Sequence, residues 1–227
     1  TGSLLSNSRV VDTIGQLKAI DSTKHSRVFV TGYYAAGDGG GGEYWFDTSD
    51  TSSLDDGGTV ILAANGARWK LIYTGMLSVR QFGARGDNLT DDKPAFQACH
   101  DAMPADGGTI WVPNGVYKMG SAFRVTKRGV ILRGASKHAA YIIPATTYSD
   151  TAPVYVLAFS CEIEGLCIYS PSGSAGYGVH VRGAGDAYIH DNVILNGGTG
   201  ATGYGICLTD KNEAGTFVPG SYRHRTT

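Results

Sequence analysis

The sequence has no apolar run approaching the roughly 18 residues that a membrane-spanning helix requires, so nothing in it argues for membrane insertion. Charge is scarce. Asp, Glu, Lys and Arg supply 17% of 227 residues and nearly cancel, leaving a formal net charge of −1 and a pI near 6.5. A surface so balanced has no basic field with which to hold nucleic acid or an anionic membrane. The four cysteines, Cys99, Cys161, Cys167 and Cys207, form no CxxC pair, which removes the usual signature of a zinc site. Cys99 sits on an apolar helical stripe, where a thiol behaves as a small hydrophobe, so reduced thiols are expected throughout. The glycine run from Gly37 to Gly42 is followed by Glu43-Tyr44-Trp45 rather than by Lys-Ser or Lys-Thr and a helix. That excludes a phosphate cradle and leaves a flexible hairpin loop as the plain reading. No cofactor and no metal are therefore expected. From Thr1-Gly2-Ser3 onward no charged-then-apolar leader is present, so export by the usual signal route finds no support.

What the chain does have is glycine, 33 residues of it, and 13 tyrosines. Such a composition suits many short strands separated by turns. Residues 10 to 74 read as a small unit. Asp12 is placed to cap a short helix with Ile14, Leu17 and Ile20 on one side. Arg27 to Tyr34 and Glu43 to Asp47 alternate as strands around the glycine run. Gly58–Ala64 and Arg68–Tyr73 flank Asn65-Gly66, the pair favoured by a tight hairpin turn.

Ser78 to Gly120 organises the remainder. Val79 and Phe82 lead as a strand into Gly83 and Gly86, which permit positive φ. Thr90, Asp91 and Asp92 supply a helix start, Pro94 falls in the first turn, and Phe96, Cys99 and Met103 recur at helical spacing. These signals predict a helix over about 91 to 103, stopped by Pro104 and Gly107-Gly108, before strands around Thr109–Val112 and Val116-Tyr117.

Beyond Gly120 the chain repeats. Ile163-Glu164-Gly165-Leu166-Cys167-Ile168 aligns with Ile189-His190-Asp191-Asn192-Val193-Ile194 at an offset of 26 residues, and Tyr177-Gly178-Val179-His180-Val181 aligns with Tyr204-Gly205-Ile206-Cys207-Leu208 at 27. A period in the twenties with glycine turns marks a stacked solenoid, three short strands to a turn. Strand alternation sends Val179, Val181, Ile206 and Leu208 inward, with Cys161 and Ile163, and leaves His180 and Cys207 outward. The apolar helix then covers the first coil, whose end and unpaired backbone need a cap. About four coils fit between Val130 and Thr227, and the tail after Val218 shows no closing element, as if a longer solenoid had been cut.

Two stretches carry a resemblance. Phe82-Gly83-Ala84, Gly86-Asp87, Thr90-Asp91-Asp92, Ala95, Gln97-Ala98, Gly107-Gly108, Val112-Pro113, Gly115 and Tyr117 resemble the opening segment of pectate-lyase-like β-helix proteins, with Asn88 where glycine is usual. Val130–Ser136 resembles an early strand of the same family. The runs Val30–Tyr44 and Asp56–Leu71 resemble the short module that precedes the β-helix in bacteriophage tailspikes. The resemblance implies a mainly β protein: a helix-capped, single-stranded right-handed parallel β-helix over 78–227, preceded by a small α+β hairpin adaptor over 1–77. It also implies a virion tail protein that recognises, and in full length degrades, capsular polysaccharide or lipopolysaccharide at the bacterial surface. The partners so implied are that glycan, other tail proteins and two further copies in a trimer, with Tyr33, Tyr34, Tyr44 and Trp45 suited to the trimer axis or to the module's own core. A non-catalytic adhesive tail component and a bacterial polysaccharide lyase remain alternatives.

Glycoside cleavage needs two facing carboxylates or a carboxylate and another base. The candidates are Glu164, Asp186 and Asp191, with Glu162 beside them and His180 as a neutral-pH base. The plain reading of each is a solvated surface or turn residue, and of Asn192 a bridge between stacked turns. Tyr155, Tyr169 and Tyr188 are candidate stacking platforms for sugar rings, against a packing role. Asp87, Asp91 and Asp92 lack the spacing of a calcium loop. With the later coils missing, this chain alone is expected to be catalytically silent.

Overall fold

The computed structural model describes residues 8–171, 176–196 and 204–209. The N-terminal unit is one five-stranded sheet made of β1 (Ser8–Val11), β2 (Arg27–Val30), β3 (Gly42–Phe46), β4 (Val60–Leu62) and β5 (Arg68–Leu71), in the order β1-β2-β3-β5-β4. Helix α1 (Ile14–Lys18) crosses between the parallel strands β1 and β2 and buries Ile14 and Leu17, with Ile20 just beyond it, against the sheet. Its cap is Thr13, whose hydroxyl accepts from the Gln16 N–H, and not Asp12, whose carboxylate receives the Thr31 hydroxyl at 3.2 Å. The β4–β5 hairpin turns at Asn65-Gly66, with Gly66 at φ +85. Tyr44 is wholly buried and donates its hydroxyl to Gly58 O, so it belongs to the module's core; Tyr34 and Trp45 stay exposed.

The glycine run is not a loose loop. The Asp38 carboxylate accepts from the N–H groups of Tyr33, Tyr34, Ala35 and Gly40 at 2.7–3.0 Å, which folds the loop around one side chain. The glycines then let another chain segment approach. A Cβ on Gly40 would stand 2.4 Å from Arg80 O. Arg80 closes the joint between this module and the C-terminal part of the chain, donating to Asp38 O at 2.6 Å and Asn114 O at 2.9 Å.

From Met76 the chain winds into three parallel sheets. An incomplete first turn holds β6 (Met76–Ser78), β7 (Asp87–Asp91) and α2 (Lys93–Ala102). The coils after it are β8 (Gly108–Val112), β9 (Gly115–Met119) and β10 (Phe123–Val125); β11 (Val130–Gly134), β12 (Ala140–Pro144) and β13 (Val154–Val156); β14 (Glu162–Glu164), β15 (Cys167–Ser170) and β16 (Tyr177–Arg182); and β17 (Tyr188–His190), β18 (Val193–Asn196) and β19 (Tyr204–Thr209). Three of these described coils begin at or beyond Val130, and the tail from 210 onward, on which an open solenoid end is expected, lies outside the described residues. The first sheet is β17-β14-β11-β8-β6, the second β18-β15-β12-β9-β7 and the third β10-β13-β16-β19. This is a parallel β-helix.

Like residues stack down its interior. Leu77, Ile110, Leu132, Ile163 and Ile189 are successive partners in the first sheet, as are Tyr117, Ile142, Ile168 and Ile194 in the second. Full burial of such an aliphatic side chain contributes about 1.5–3 kcal/mol, while Ile189 and Ile194 are only partly buried. The repeat register read from the sequence is the observed one: Ile163 pairs with Ile189, Tyr177 with Tyr204 and Val181 with Leu208.

The expected strand at Ser78–Phe82 stops at Ser78, where a capping box with Gln81 starts a short 3-10 turn over Val79–Phe82. Thr90 and Asp91 end β7 rather than start the helix. Asp92 stands at the N-cap of α2 but turns back, accepting from the N–H groups of Arg85 and Gly86. Helix α2 lies against β10, in the position where a preceding coil would place a strand. Its Gln97 amide accepts from the Arg124 N–H and donates to Arg124 O, while His100 Nε2 accepts from the N–H groups of Thr126 and Lys127. Two side chains thus take over the hydrogen bonding that a strand would provide to an open sheet edge.

Candidate functional site

Alternation sets what each sheet shows to the outside. In the first sheet the residues flanking the aliphatic stack form two outward columns. One runs Ser78, Trp111, Arg133, Glu164, His190; the other runs Met76, Thr109, Ile131, Glu162, Tyr188. The upper ends of these columns converge into a charged cluster. His190 Nε2 lies 2.8 Å from Glu162 Oε1 and 3.9 Å from Glu164 Oε2, and His190 Nδ1 lies 2.9 Å from Asp191 Oδ2. Arg133 pairs with the other oxygen of Glu164. Hydrogen bonds to Asp191 and then Glu162 push the His190 pKa above its ordinary value, and the same contact with His190 lowers that of Asp191. Tyr188, exposed, stands in register beside Glu162.

Of the residues singled out in the sequence, Glu164 and Asp191 therefore meet, with Glu162, around His190, a histidine outside the candidate set. The 26-residue repeat holds the signal for it, because that offset sets His190 opposite Glu164. Asp186 is elsewhere: it takes φ +54 in the turn before β17, a backbone role. Asn192 does bridge stacked turns, accepting from the Leu166 N–H and donating to Ile163 O.

The third sheet corrects two expectations. Arg124, Tyr155, His180 and Cys207 form its outward column, but the column is covered. Tyr155 and His180 are 4% and 8% exposed, their rings 5.2 Å apart, with Tyr177 edge-on to His180. Ala122 and Ala152 pack on Tyr155, and its hydroxyl is bonded to that of Thr151. Burial, with Arg182 nearby, holds the His180 pKa down to about 4. His180 is thus neither a surface base nor solvated, and Tyr155 is a packing ring closed to sugar. Tyr169 faces outward from the second sheet, where it lines an open cleft of about 580 Å³ with Asn88, Val116, Tyr141 and Ile143.

Two outward surfaces thus combine polar and aromatic groups, the charged and aromatic face of the first sheet and the tyrosine-lined cleft of the second. Known proteins fit this architecture. The chain is 30% identical over 131 residues to the defective tail fibre protein of the Mu-like prophage FluMu of Haemophilus influenzae, covering 56% of this chain and 21% of that protein. It is 32% identical over 117 residues to the mannuronan C5-epimerase AlgE3 of Azotobacter vinelandii, covering 48% of this chain and 6% of the epimerase. The chain therefore spans about a fifth or less of these curated relatives. Among solved structures, the tailspike gp49 of Acinetobacter baumannii bacteriophage Fri1, a capsular polysaccharide depolymerase, superposes with a TM-score of 0.64 at 20% identity, over 86% of this chain and 40% of that one. Residues 10–74 match the phage tail protein small four-stranded β-sheet domain. Residues 76–215 match the rhamnogalacturonase A/epimerase, pectate lyase-like family, and the chain belongs to that family.

Proposed function

We propose that this chain is part of a phage or prophage tailspike in which a tail-type β module carries a β-helix that recognises bacterial surface polysaccharide, and that the full-length protein degrades that polysaccharide. The observation that carries this reading is the joint. A module of the phage-tail type is fixed to the first coil of a pectate-lyase-like helix through Arg80 and the Asp38 loop. Such a joint suits a particle that must hold a glycan-facing solenoid in a set direction. The first-sheet face is the proposed contact surface, with Tyr188 to stack on a sugar ring and the Glu162, Glu164 and His190 group to bind its hydroxyls.

The test is a depolymerase assay on capsule and lipopolysaccharide from the bacterium that the phage adsorbs to, reading new reducing ends and unsaturated uronic acid. The full-length protein is expected to release one or the other, and the 227-residue chain alone neither. A full-length protein that adsorbs to cells yet cuts no surface glycan overturns the catalytic part and leaves an adhesive tail component, the reading favoured by likeness to the prophage tail fibre protein.

A further inference from the structure

Among the described residues, the charged cluster around His190 has, besides its ion pairs, the form of a ligand set. Glu162, Glu164 and His190 each offer one donor atom on the first-sheet face, all within 4.8 Å of one another. They come from two adjacent strands of a rigid ladder, β14 and β17, so the backbone sets their spacing. The His190 ring is held from behind by Asp191, whose Oδ2 lies 2.9 Å from Nδ1. A carboxylate at Nδ1 orients an imidazole for metal binding through Nε2; here Nε2 lies 2.8 Å from Glu162 Oε1, and an ion bound between them would displace the proton that they share. Glu164 gives one oxygen to Arg133 and keeps the other toward His190. All three donor residues are half-buried rather than free in solvent, and three carboxylates crowd one ring.

We propose that Glu162, Glu164 and His190 form a binding site for a divalent transition-metal ion of the zinc class. An imidazole with two carboxylates suits Zn²⁺ better than Ca²⁺ or Mg²⁺, which take oxygen ligands alone. Small side-chain rotations bring three atoms so placed to the about 2.0–2.2 Å typical of zinc–nitrogen and zinc–oxygen bonds. An ion held by three protein ligands would keep a fourth position for a water or a sugar oxygen. The expectation of no metal rests on cysteine spacing, and this donor set uses no cysteine. Binding at such a site can be tested without any glycan, because the ion alone is the probe.

Isothermal titration of Zn²⁺ into the 227-residue chain tests it. The wild-type chain is expected to show one saturable site and a higher melting temperature with Zn²⁺. His190→Ala and Glu162→Gln should lose both effects, and Asp191→Asn should weaken binding about 10–100-fold, the usual cost of removing an orienting partner. His138→Ala, at an exposed histidine outside the cluster, should change nothing. Should His190→Ala fail to fold, as judged by circular dichroism, the near-isosteric Glu162→Gln decides. Absence of saturable Zn²⁺ binding by the wild-type chain, or binding that survives Glu162→Gln, overturns the proposal.

Discussion

Gln97 and His100 solve a problem that begins every β-helix, namely that the first full coil has no strand below it. A carboxamide has the same donor and acceptor as a peptide group, so Gln97 can stand in for one. His100 can do so only while neutral, since Nε2 must accept two N–H bonds and Nδ1 then donates to Asp101. Replacing His100 by alanine is expected to cost about 2–4 kcal/mol, from two stranded donors and lost packing, measured by urea unfolding. The ring also makes stability pH-dependent. Burial, opposed by the bond to Asp101, lowers the His100 pKa below 6.5. His180 is shifted the same way, to about 4. Above about pH 6.5 both rings are neutral whether folded or not, and their contribution is complete. As pH falls below that, the unfolded chain takes up protons that the folded chain resists, and stability declines toward pH 4. The urea midpoint should drop over this interval, and His100→Gln should flatten the decline. An unchanged slope would show that the His100 ring is solvated.

Among the elements, the turns between the first and second sheets carry most of the register. Gly134, Gly165 and Asp191 succeed one another there, and a Cβ on Gly134 would lie 2.2 Å from Gly165 O. Gly134→Val is expected to destabilise by about 1–3 kcal/mol or more through overpacking. Asn192→Ala should cost a similar amount by leaving the Leu166 N–H and Ile163 C=O unpaired, again read from urea midpoints. The repeat around these turns was legible because matching strands lie 26 or 27 residues apart and the apolar positions recur with them. Earlier coils were less so, since β12 and β13 are separated by a nine-residue connection, 145–153, that breaks the period. Helix α2 was legible from its stripe, while the roles of Asp12 and Asp92 were not. A carboxylate can cap the nearest helix or reach back to another turn, and only the folded path decides. The cluster at His190 depends on pairs 26 to 31 residues apart in sequence, where alternation says which side a residue faces but not what its side chain touches. Covering of Tyr155 was hidden for the same reason, because Ala122 and Ala152, which pack on it, lie in connections between strands, and His180 lies against the Tyr155 and Tyr177 rings.

At the scale of the whole molecule, a tail-type module is joined to a solenoid whose proposed partner is glycan. Arg80→Ala should loosen that joint, splitting one thermal transition into two in calorimetry and exposing the Ala35–Gly41 loop to protease; a single unshifted transition would place the coupling elsewhere. If assembly also resides in this part of the protein, light scattering will give a mass of three times 23.9 kDa, and a monomer assigns the trimer contacts to other coils. If the outward face of the first sheet holds a bacterial glycan, direct binding will show it. Purified capsular polysaccharide or lipopolysaccharide from the adsorbing host should bind the 227-residue chain saturably by isothermal titration. Tyr188→Ala should weaken that binding about tenfold, the worth of one lost stacking ring. No binding to either host glycan, or binding indifferent to Tyr188, would show that this face is not where the glycan is held.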